Sequence, residues 1–170
     1  MEPAPPLIVS RCGEAPAKGA APAPGAASAP DAAQIPLPKL TGRVVDTADL
    51  LAPSEEAALT RKSVELERAT GHQLVIVTLP SLDGRDIEQV GLALGNGWGI
   101  GRKEADDGVL LIVAPKERRV RIEVGCGLES TLTDAEAGTI IQQTILPRFR
   151  EAEMPKGIAA GAEAIIREIS

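Results

Sequence analysis

Val120-Arg121-Ile122-Glu123-Val124-Gly125-Cys126-Gly127-Leu128-Glu129-Ser130-Thr131-Leu132 decides the fold of this chain. Its first five residues alternate apolar and polar, the period of a strand. The Gly-x-Gly turn ends that strand. Thr133-Asp134-Ala135-Glu136 then forms a capping box, in which the threonine and the glutamate satisfy each other's free backbone amides, so a helix opens here. Upstream, Val109-Leu110-Leu111-Ile112-Val113 is unbroken and branched, as expected of a strand buried on both faces. Pro115-Lys116-Glu117-Arg118 is too short a link for a crossover, so the two strands form an antiparallel hairpin.

The pattern continues outward. Asp86-Ile87-Glu88-Gln89 is a second capping box, and Ile87, Val90, Gly91, Leu94 and Trp98 follow on one helical face. Gly95, Gly97, Gly99 and Gly101 are expected to dissolve that helix into a loop. Residues 73–79 read as another buried strand, preceded by a helix from Pro53-Ser54 to about Ala69 with Leu59 and Leu66 inward. Thr70-Gly71 ends that helix, glycine suiting a left-handed cap. Residues 40–46 are a short extended segment. Ala137, Ile140, Ile141 and Ile145 mark the helix after the quoted stretch, and Ile158, Ala162, Ile165, Ile166 and Ile169 mark the last one. Helices interleaved with buried strands predict a layered α/β domain.

Residues 1–38 do not belong to it. They hold nine of the fourteen prolines, and ten alanines lie between Ala15 and Ala33. Proline blocks helix interiors and alanine brings little apolar area, so residues 1–38 read as a flexible Ala/Pro-rich linker before a domain at 39–170. Three of the 24 acids and two of the 18 bases fall in the linker, leaving 21 acids against 16 bases in the domain. That acidity, with Trp98 and Phe149 as the only aromatics, argues against a nucleic-acid surface. No apolar run approaches the ~20 residues of a membrane helix. Leu7-Ile8-Val9 falls far short of the ~7–15 apolar residues of a signal-peptide core. Cys12-Gly13-Glu14-Ala15-Pro16 is like the mature start of a bacterial lipoprotein, but Ser10-Arg11 stands where small residues belong, so Cys12 reads as an ordinary cysteine. Cys12 and Cys126 do not make a disulfide framework.

Asp106-Asp107-Gly108 is the strongest candidate for chemistry. Adjacent carboxylates repel, and a hard divalent cation relieves the repulsion through oxygen ligands. Two neighbours cannot fill a shell, so Asp46 is the natural third, with Glu104 and Glu123 as further carboxylates and Asp134 nearby. The Gly-rich run at 95–101 follows a helix and not a strand, so it lacks the flanks of a dinucleotide fingerprint. Cys126 has Leu132, not an arginine, six positions on, so no phosphate-cradling cysteine loop is present. It reads as a half-buried small apolar residue. His72, the one histidine, has no partner at metal-ligand spacing.

Taken together, the quoted stretch, Trp98-Gly99-Ile100-Gly101 and Asp106-Asp107-Gly108-Val109-Leu110-Leu111-Ile112-Val113 resemble the TPM domain, a family named for thylakoid, phosphatase and modulator. The resemblance covers about residues 40–169 and implies a Rossmann-like three-layer αβα sandwich. It also implies binding of Ca2+ or Mg2+, carried over onto Asp46, Asp106 and Asp107. From it we expect an interaction module of the bacterial cell envelope, on the periplasmic side, docking on a membrane-protein partner. The alternative is a metal-dependent acid phosphatase, with Arg85 or Arg102 clamping a phosphomonoester. For that alternative the sequence supplies no Asp-x-Asp nucleophile: Asp46-Thr47-Ala48-Asp49 has the wrong spacing.

Overall fold

The computed structural model describes residues 38–98, 100 and 107–170. Residues 1–37, with Cys12, lie outside the described residues, as do Gly99, Gly101, Arg102, Glu104 and Asp106. The elements run β1 (Val44–Asp46), α1 (Pro53–Thr70), β2 (Gln73–Thr78), α2 (Ile87–Trp98), β3 (Gly108–Ala114) and β4 (Arg119–Val124). A 3-10 turn (Cys126–Leu128), α3 (Asp134–Thr139), a π-helical segment (Ile140–Ile145), α4 (Leu146–Arg150) and α5 (Met154–Ile169) complete the chain.

The four strands form one sheet in sequential order, β1-β2-β3-β4. The first three are parallel and β4 returns antiparallel, as the short Pro115–Arg118 link requires. Every residue of β3 is buried, as are the last five of β2 and of β4. A strand buried on both sides needs a layer on each face, so this is a layered α/β domain. The sequential order has no reversal, and therefore lacks the switch-point crevice of a doubly wound nucleotide-binding sheet.

Local chemistry sets the element ends. Pro53 occupies the first turn of α1, where its missing amide costs nothing, and Glu55 accepts from the Ala52 amide at 2.8 Å. Gly71, at φ 83°, closes α1 with its amide on Glu67 O at 2.8 Å. The predicted capping box at Thr133 is formed: Thr133 Oγ1 accepts from Glu136 N at 3.2 Å, and Glu136 Oε2 from Thr133 N at 2.9 Å.

Two details differ from expectation. The α2 helix continues to Trp98 despite Gly95 and Gly97, and the Trp98 indole donates to Pro38 O at 3.1 Å. Packing of the partly buried ring against the core and this bond hold the last turn. The helix after Thr133 widens into a π segment over Ile140–Ile145, with the Leu146 amide reaching back five residues to Ile141 O. Pro147 follows directly. Its ring cannot donate and crowds the carbonyl four residues back, which favours the wider turn.

Side chains at paired positions share a face. Ile112 pairs with Arg121 and Leu110 with Glu123, and α2 lies over this face. Gly91 makes the approach close: a Cβ there would stand 3.0 Å from Ile112 Cδ1 and 3.1 Å from both Arg121 Nε and Glu123 Oε2. Arg121 is fully buried and Glu123 is 4% exposed, with Arg121 Nε donating to Glu123 Oε2 at 2.7 Å. The alternation of β4 therefore does not separate a wet face from a dry one. Its polar residues face inward as an ion pair beneath a helix.

Candidate functional site

The parallel strands carry their predicted site residues at opposite ends. Asp46 is the last residue of β1, level with Thr78 of β2 and hence with Val113 of β3. Asp107 precedes β3, level with the residue before Gln73. Six residues of strand separate the two levels, roughly 20 Å at ~3.3 Å per residue. One ion has donors within a few ångströms of each other, so Asp46 and Asp107 cannot share it. Asp106 lies outside the described residues. This corrects the grouping of Asp46, Asp106 and Asp107 into one ligand set. The sequence marks both acidic positions but carries no sign of which strand end each occupies.

At the carboxyl edge, Asp46 braces the chain that follows it. Its Oδ1 accepts from Leu50 N at 3.0 Å and its Oδ2 from Leu51 N at 2.8 Å, while the Thr78 hydroxyl also donates to Oδ1. Thr78 Oγ1 in turn accepts from Ala48 N at 3.1 Å, and Thr47 Oγ1 donates to Thr78 O. Asp49, at φ 54°, completes the turn. The first turn of α1 then brings Glu56 to Asp46. Desolvation, followed by the charge of Asp46, a hydrogen bond to Asp46 and the charge of Asp49, raises the Glu56 pKa above its ordinary 4.5. Two carboxyl groups thus crowd each other at this edge. Sequence reasoning placed Glu56 only as an acid in a helix's first turn. Nothing in its spacing signals the contact with Asp46.

At the amino edge, Asp107 is 3% exposed and its carbonyl accepts from Gln73 N at 3.2 Å. Gly125 N donates to Gly108 O at 2.8 Å, which brings the Gly-Cys-Gly turn beside it. Cys126 is half-buried in this turn. His72 Nδ1 is within 2.7 Å of Ile169 O, which ties the start of β2 to the end of α5. Glu123 is committed to Arg121, and Asp134 sits in the first turn of α3.

As a test of fit for a divalent cation, no three acidic, imidazole or thiol side chains converge on one point among the described residues. Asp46 and Glu56 nevertheless form an adjoining carboxyl pair, and Mg2+ commonly takes one or two carboxylates and keeps waters for the rest. The carboxyl edge therefore suits a hydrated ion better than a stripped one.

The TPM domain matches residues 44–168, most of the chain. The chain belongs to the TPM-domain family. The TPM fold is also seen in solved structures. The N-terminal domain of a protein from P. gingivalis is 31% identical with a TM-score of 0.71, over 76% of this chain and 82% of that one. The N-terminal domain of a Corynebacterium glutamicum protein is 18% identical with a TM-score of 0.60, over 76% and 81%. A protein of the psychrophilic bacterium Bizionia argentinensis is also 18% identical with a TM-score of 0.60, over 70% and 81%. No curated protein matches the chain.

Proposed function

We propose that this TPM domain is a divalent-cation-binding interaction module of the cell envelope, acting on the periplasmic side on a membrane-protein partner. The observation that carries the cation reading is the Asp46–Glu56 pair, where desolvation, and after it the charge of Asp46, raises the Glu56 pKa. A Ca2+ or Mg2+ ion held there by Asp46 and Glu56, with Asp49 adding charge, would neutralise the pair in place of a proton. The module reading draws support from the P. gingivalis neighbour, which is itself described as an N-terminal domain. An Ala/Pro-rich segment before the domain suits a spacer. No helix of the described residues is long and apolar enough to cross a membrane, so a membrane partner would be met through a surface of the domain.

Little favours the phosphatase alternative. The sequence holds no Asp-x-Asp nucleophile, and His72 is engaged with Ile169 O. The test is a calorimetric titration of Ca2+ and of Mg2+ into the full chain, into Asp46→Asn and into Asp106→Asn/Asp107→Asn. Saturable binding lost in Asp46→Asn and retained in the double variant is expected. Binding lost only in the double variant would move the ion to the other end of the sheet. Phosphate release from a generic phosphomonoester, dependent on Mg2+ and on Asp46, would overturn the module reading in favour of the enzyme.

A further inference from the structure

Thr78 ends β2 level with Asp46, so the two side chains lie next to each other on one face of the sheet. Thr78 is fully buried. Its hydroxyl has a single hydrogen to donate. The Ala48 amide can only donate, so Thr78 Oγ1 accepts from it at 3.1 Å, and the hydroxyl hydrogen is left for Asp46 Oδ1. The Thr78 carbonyl takes both donors of Thr47, the amide at 3.2 Å and the hydroxyl. The end of β2 thus grips the chain leaving β1 at residues 46, 47 and 48 in turn.

An ionised carboxylate has about four acceptor positions, two on each oxygen. On Asp46 the Leu50 amide, at 3.0 Å, and the Thr78 hydroxyl fill Oδ1. One backbone donor, the Leu51 amide at 2.8 Å, lies on Oδ2. Oδ2 is therefore the oxygen with room for an ion, and Glu56, which also contacts Asp46, supplies the second carboxylate. Mg2+ is commonly bound through one or two carboxylates, with waters completing an octahedron. Ca2+ commonly gathers about six to eight oxygens and takes some carboxylates through both of theirs. A carboxylate with one oxygen already filled suits the first manner of binding and not the second.

We propose that Thr78 sets the ion preference of the carboxyl edge: its hydroxyl fills Asp46 Oδ1, Oδ2 alone meets the ion, and Mg2+ is taken in preference to Ca2+. This rests on the reading of that edge as a cation site and names the ion it takes. Thr78 is a positioning residue, since it acts through Asp46 and does not touch the ion.

The experiment titrates Mg2+ and, separately, Ca2+ into the full chain and into Thr78→Val and Thr78→Ser by calorimetry. The wild-type chain is expected to bind Mg2+ more tightly than Ca2+. Thr78→Val keeps the branched shape and removes the hydroxyl, and should weaken Mg2+ binding about tenfold, the effect of losing a hydrogen bond to a charged group. Ca2+ should lose less, because Oδ1 is freed for it, so the ratio of the two affinities falls. Thr78→Ser restores the hydroxyl and should restore both the affinity and the ratio. If Thr78→Val does not fold, Thr78→Cys, whose thiol donates only weakly, gives the same comparison. A merely structural role would weaken the two ions in equal proportion. That result, a wild-type preference for Ca2+, or a failure of serine to restore the ratio would overturn the role of Thr78 and leave the cation reading standing. Binding of neither ion by the wild-type chain would overturn both.

Discussion

Glu56 stands in the first turn of α1, where the helix's positive end ordinarily favours a carboxylate. Its raised pKa means that desolvation and the charge of Asp46 win over that end. A carboxyl whose folded pKa exceeds its unfolded one supports the fold while protonated, and loses that support as pH rises through the folded value. Glu56→Gln keeps a donor for Asp46 without the charge. It should therefore raise the melting temperature at pH 7, and the gain should vanish as pH falls below the ordinary 4.5. A gain that persisted at pH 3, or a loss at pH 7, would count against the crowding. Asp46 itself was legible as an acid ending a strand, because its place after Val44-Val45 fixes where it lies. Its duty as a brace for Leu50 and Leu51 was not, because backbone donors leave no trace in composition. The burial of Arg121 and Glu123 was not legible for a related reason: period-two alternation reports that polar residues share a face, not whether a helix covers it.

At the scale of elements, capping boxes and runs of branched residues carried most of the information. The hairpin followed from a link too short for a crossover, and α1 ended at Gly71 as its sequence implied. The π segment was hidden, since Ile140, Ile141 and Ile145 fit an ordinary helix and only Pro147 hints at the widening. The contact of α2 with β4 depends on Gly91. Gly91→Ala should lower stability by about 1–3 kcal/mol in urea unfolding, because its methyl would press on Ile112, Arg121 and Glu123 together. An unchanged midpoint would show that the layer yields freely. Removing Glu123 takes the 2.7 Å partner from the fully buried Arg121 and leaves Glu88 Oε1 at 4.0 Å from its Nη1. Glu123→Leu alone should cost about 3–5 kcal/mol, whereas Arg121→Met/Glu123→Leu should recover much of it. A double variant as unstable as the single one would mean that packing, not charge, sets the cost.

For the whole molecule, the sheet separates chemistry by end. Parallel β1 to β3 place Asp46 and Glu117 toward their carboxyl ends, and Asp107, His72 and Cys126 toward their amino ends. Family and fold class were legible because strand, turn and capping signals agree along the whole domain. The three-residue ligand set was not, because sequence order does not reveal that 46 and 107 fall on opposite edges.

The central claim, a cation held at the carboxyl edge, is tested most directly by titrating Mg2+ into the full chain while recording backbone amide shifts. The amides of Ala48, Leu50 and Leu51, which bond to Thr78 and Asp46, are predicted to move together and saturate, with Gly108 and Gly125 unmoved. Saturable shifts confined to Gly108 and Gly125, or none at any site, would contradict it.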